Sequence, residues 1–104
     1  METEELYTEL KGFFPKQLDL MRHLQINACW EYIITEQSTD DTHIKLNFYL
    51  LKKNENSLEM TKKNPEIKPD LILYFTEKAI LNIIEGVSGA EEYYERYHKV
   101  MDYP

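Results

Sequence analysis

Between Lys68 and Gly86 the hydrophobic period of this chain switches from two to 3.6, so a strand must run straight into a helix. Leu71, Leu73 and Phe75 alternate with Ile72 and Tyr74. Ile80, Ile83, Ile84 and Val87 then recur at i, i+3, i+4 and i+7, the spacing of one helix face. Thr76 stands where an N-cap belongs and Gly86 where a left-handed residue closes a helix.

Upstream, Leu6 and Leu10 open a helical period that Gly12 interrupts, and Pro15 takes a first helical position behind Phe14. Leu18, Leu20, Met21 and Leu24 predict a second amphipathic helix ending near Gln25 to Asn27. Trp30, Tyr32 and Ile34 alternate with Glu31, Ile33 and Thr35, and the polar run Gln37 to Thr42 predicts a hairpin turn. Ile44, Leu46, Phe48 and Leu50 share one face of the next strand, with Lys45, Asn47 and Tyr49 on the other. Asn54 to Ser57 is a second turn, Leu58 and Met60 carry a short strand, and Asn64 to Pro69 is a loop. After Gly86, Ser88 and Glu91 form a capping box for a last helix, with Ala90, Tyr93, Tyr94, Tyr97 and Met101 as its apolar stripe. Runs of one element type predict an α+β fold: an antiparallel sheet of four or five strands with helices packed on one face.

The unit built from Pro69, Asp70, Leu71, Leu73, Phe75, Thr76, Ile80, Ile83, Ile84 and Gly86 resembles the signature strand and helix of the sterol carrier protein type-2 (SCP-2) family of lipid-binding domains. The resemblance covers Trp30 to Met101 and implies a helix, antiparallel strands joined by hairpins, then the signature strand and helix. It also implies that a fatty acyl chain, sterol or similar apolar molecule is held between sheet and helices. The family closes with a Gly-Lys strand, where this chain carries the helical stripe of Tyr93, Tyr94 and Tyr97. The expected ligand wall is Phe48, Leu50, Leu73, Phe75, Ile80, Ile84, Tyr94 and Tyr97, with the Tyr97 hydroxyl meeting a polar end of the ligand.

With 104 residues the chain has room for one domain, spanning 1–104. A net charge of −7 weighs against nucleic acid and against unaided adsorption to anionic lipid. Lys45, Lys52, Lys53, Lys62, Lys63 and Lys68 leave the middle third basic, a sheet edge that could meet an acidic partner or a lipid headgroup, although lysines guarding an edge against aggregation are the simpler expectation. No stretch approaches the roughly 20 apolar residues of a membrane span, and the acidic start Glu2, Glu4 and Glu5 lacks a signal pattern, so a soluble cytoplasmic protein is expected. Cys29 beside Trp30 reads as a small buried hydrophobe.

Constellations for catalysis are weak. Glu95 with His98, and Asp19 with His23, have helical spacings that could ligate a metal, but bridging carboxylates are not identifiable. With no nucleotide-binding or nucleophile motif, the expectation is a non-enzymatic domain without cofactor or metal. Ile33, Tyr49, Ile72 and Tyr74 make the second sheet face too apolar to lie bare, and a helix or a second copy is expected to cover it. A homodimeric protein-interaction or regulatory module is the alternative reading.

Overall fold

The computed structural model describes residues 1–38 and 43–86. It is an α+β domain with helix α1 (Thr3–Lys11), strands β1 (Cys29–Thr35), β2 (Ile44–Asn54), β3 (Ser57–Thr61) and β4 (Leu71–Thr76), and helix α2 (Glu77–Ile84). Among the described residues no helix is long and apolar enough to cross a membrane.

The strands form one sheet in the order β3-β2-β1-β4. β1 with β2, and β2 with β3, pair antiparallel, whereas β4 lies parallel to β1, so the sheet is mixed rather than antiparallel. Alternation identifies a strand and its inward face but not its neighbour. A parallel partner requires a crossover, and the polar segment from Lys62 to Asp70 supplies it.

Tyr32 sits at the centre of the inner face, paired with Phe48 on β2 and Leu73 on β4. Its ring stacks on Phe48 at a centroid distance of 4.6 Å and lies 5.9 Å from Phe75, while Phe14 closes over it at 5.3 Å. Leu6 and Leu10 of α1, Met21, and Ala79, Ile80 and Ile83 of α2 complete the same core, so the helices cover one face of the sheet.

The expected second helix is replaced by two 3₁₀ turns, Phe14–Lys16 and Leu18–Met21, separated at Gln17, whose φ of −89° and ψ of 65° lie outside the helical region. Leu18, Met21 and Leu24 recur every three residues, the 3₁₀ period, and only Met21 of these is fully buried. Lys52 then fixes this segment to the sheet. It occupies an inward position of β2 and is only 3% exposed, with Nζ donating to the carbonyls of Arg22 at 3.2 Å and Leu24 at 2.7 Å. Glu55 pairs with it at 3.3 Å. Lys45 and Lys52 therefore belong to an internal strand, not to the expected basic edge.

On the outer face, Tyr49 and Ile72 are buried, and Ile33 and Tyr74 are half-buried. The cover over Tyr49 is the crossover itself: Ile67 packs against Cys29, Tyr49 and Leu51. A turn holds it in place, with the Glu66 N–H donating to Asn64 Oδ1 at 2.8 Å and Glu66 in the left-handed region at φ 61°. The expectation of a helical or dimeric cover is corrected there, because the parallel pairing sends the chain across that face.

Candidate functional site

The strand, cap and helix after Pro69 form where the change of period places them. The Ala79 N–H donates to Thr76 Oγ1 at 3.1 Å, capping α2, and Gly86 adopts φ 70° beyond its end. Asp70 fixes the start of β4: its carboxylate accepts the Cys29 N–H at 3.1 Å, and its own N–H donates to the Cys29 carbonyl at 2.8 Å. That exchange sets the parallel register in which Trp30 faces Leu71 and Ile34 faces Phe75.

Of the residues expected to wall a ligand site, Phe48, Leu50, Leu73, Phe75 and Ile80 come together on the inner layer, each fully buried. Ile84 is half-buried against the same layer. Tyr94 and Tyr97 lie outside the described residues, as do the expected last helix and the Glu95–His98 pair. Phe14 and Tyr32 pack among these walls, with Tyr32 in ring contact with Phe48 and Phe75 and Phe14 against Tyr32 and Phe48. Four surface clefts formed by described residues are lined by none of the six described wall residues.

Alternation put Tyr32 on one face with Trp30 and Ile34, but nothing in a single strand's pattern says that a tyrosine will be the hub of a ring stack, and no period in the sequence marked Phe14 as its cover. The layer also has an apolar margin that the expected wall left out. Trp30 and Leu71, register partners, are half-buried against the core, and so are Leu20 and Leu24 from the 3₁₀ segment.

The polar sites are structural in their geometry. Asp19 pairs with Arg22 rather than with His23, since the 3₁₀ turn ends at Met21 and the helical spacing is not built. Cys29 is buried, and burial first, then the negative charges of Asp70 and Glu31, push its thiol up to about 11, which keeps it protonated and unreactive at neutral pH. Beside the start of α2, an open cleft of about 530 Å³ is lined by Glu36, Lys45, Glu77, Lys78 and Leu81. Lys45 Nζ lies 2.5 Å from Glu77 Oε1, a hydrogen bond that holds its ammonium above the ordinary lysine range. Both charges are thereby engaged with one another. On the outer face, Glu31 accepts from Asn47 Nδ2 at 3.0 Å and from the Tyr49 hydroxyl at 3.4 Å. Among the described residues no group of three histidine, cysteine, aspartate or glutamate side chains converges as a metal site.

Comparison with family models, with curated proteins and with solved structures finds no match for this chain.

Proposed function

We propose that this domain binds an apolar or amphipathic small molecule, a fatty acyl chain or a sterol-like lipid, against the inner layer, and could transfer it. The observation that carries the reading is a single apolar layer contributed by all four strands and α2, with a half-buried margin at Trp30, Leu71, Leu20, Leu24 and Ile84. Helix, three hairpin-linked strands, then strand and capped helix is also the order that the SCP-2 resemblance implies. A ligand tail meeting Trp30 and Leu71 extends the layer at its margin and leaves the ring stack in place, so entry there avoids the loss of a packed core.

Trp30, the only tryptophan, reports on that margin. Titration with oleate is expected to shift its emission to shorter wavelength and to saturate, and native mass spectrometry of purified protein is expected to carry an extra mass extractable into organic solvent. Unchanged Trp30 emission together with a lipid-free extract overturns the reading.

A second reading, a homodimeric interaction or regulatory module, is favoured by one observation. Ile33 and Tyr74 are register partners on the outer face and remain half-exposed side by side. Sedimentation showing a stable monomer with both residues open to solvent would count against it.

A further inference from the structure

The edge of the sheet at β3 has its hydrogen-bonding groups turned outward along an open cleft. Their direction follows from β2. The Lys52 N–H donates to the Ala28 carbonyl at 2.9 Å and its carbonyl accepts from Asn27 at 2.8 Å, so the main-chain groups of Lys52 face β1. Along a strand these groups alternate, so those of Tyr49 and Leu51 face β3 and bond to Thr61 and Glu59, their register partners. Leu58 and Met60 therefore direct their N–H and C=O groups away from the sheet. Among the described residues only the Tyr7 hydroxyl meets them, at 3.4 Å from the Met60 carbonyl.

The cleft, about 600 Å³, runs along all five residues of β3, with Pro15 and Lys11 on one side and Lys53 on the other. Lys11 stands 5.6 Å above the Tyr7 ring, and neither Lys11 nor Lys53 makes an ion pair among the described residues. Glu59 is the one carboxylate on the cleft wall. An edge of this kind is a template for an added strand, and two lysines without an ion pair among the described residues, set against the single carboxylate of Glu59, leave the cleft wall net positive and favour negative charge.

A second copy is the obvious alternative occupant, but its pairing is disfavoured. The antiparallel self-register that uses the outward groups of Leu58 and Met60 in both copies sets Glu59 directly opposite its own mate, and like charges opposed across a ladder are destabilising. We infer that β3 is a strand-addition site for an extended acidic peptide segment of another protein, which bonds to Leu58 and Met60 while its carboxylates meet Lys11 and Lys53. This inference is independent of the apolar ligand.

The test uses the full chain, isotopically labelled, with two end-blocked probe peptides, one alternating aspartate with valine and one alternating lysine with valine. The aspartate peptide is expected to shift the Leu58 and Met60 amide resonances and to slow their hydrogen exchange, with Lys53→Glu weakening its binding by about fivefold. Lys53→Arg is expected to retain binding. The inference is overturned if neither peptide moves these amides, if the lysine peptide binds as well, or if the amides are already protected in a dimer of the chain alone.

Discussion

Asp70 exchanges two hydrogen bonds with Cys29, at 3.1 and 2.8 Å, and so ties the first residue of one strand to the residue before its parallel neighbour. One of the two is made by the side chain, so residue identity matters here as well as backbone geometry. Asp70→Ala is expected to lower stability by about 1–2 kcal/mol, while Asp70→Asn, which keeps an oxygen acceptor, loses less. Urea denaturation of the two variants checks the order.

The same carboxylate acts on the buried thiol. In the folded chain Cys29 titrates near 11, raised from 9.0 by burial and by Asp70 and Glu31. The folded state thus holds its proton where the unfolded chain has begun to release it. This contribution to stability is complete below the unfolded value of 9.0 and is lost as pH rises through about 11. Comparing urea midpoints of the wild type and Cys29→Ala on both sides of that interval should show their difference shifting against the wild type at high pH. Asp70→Asn is expected to lower the thiol pKa, read as faster alkylation.

Lys52 holds two carbonyls of the 3₁₀ segment from an inward position on β2. Lys52→Met keeps most of the stem but leaves those carbonyls without their donor, and a loss of about 2–3 kcal/mol is expected. Glu55→Ala touches only the exposed end of the ion pair, and its effect should stay under about 1 kcal/mol. Thermal unfolding of both variants separates the roles.

Phe14 closes the inner layer over Tyr32 and Phe48. Phe14→Ala is expected to cost about 3–4 kcal/mol and to leave a void of apolar walls. If the layer takes apolar ligands, that void should raise the affinity for a fluorescent fatty acid even as the urea midpoint falls. A fall in both measurements would locate binding elsewhere.

Gly86 has φ 70°, and an added Cβ would meet nothing within 4 Å. Gly86→Ala should therefore carry only the backbone penalty, about 1 kcal/mol, without a clash. Circular dichroism melts can resolve a change of that size.

Elements with one clear period were legible in the sequence. The alternation around Phe48 and the switch at Thr76 placed β2, β4 and α2, because burial on one face writes itself into residue order. Partnership was not legible: nothing in Leu71 to Thr76 says that β1 is its parallel neighbour, since that choice depends on where the crossover lands. Lys52 looked like an edge lysine because composition cannot distinguish a solvated ammonium from one capping carbonyls, although its inward phase after Leu46, Phe48 and Leu50 was a usable signal. For the candidate site, the alternation identified four residues, Phe48, Leu50, Leu73 and Phe75, and the helical period a fifth, Ile80, that do share the inner layer. It could not tell a packed ring stack from the wall of a cavity, because both need the same apolar phase.

The parallel docking of β4 also bears on how the domain is assembled in time. β1, β2 and β3 follow one another through turns, so their contacts are close in sequence, whereas Asp70 must find Cys29 across 41 residues. Loop-closure entropy makes such a pairing late and slow relative to hairpin closure. The meander is thus expected to gather first, with Tyr49 and Leu51 uncovered until the crossover arrives, and it is in that interval that the chain is most exposed to self-association.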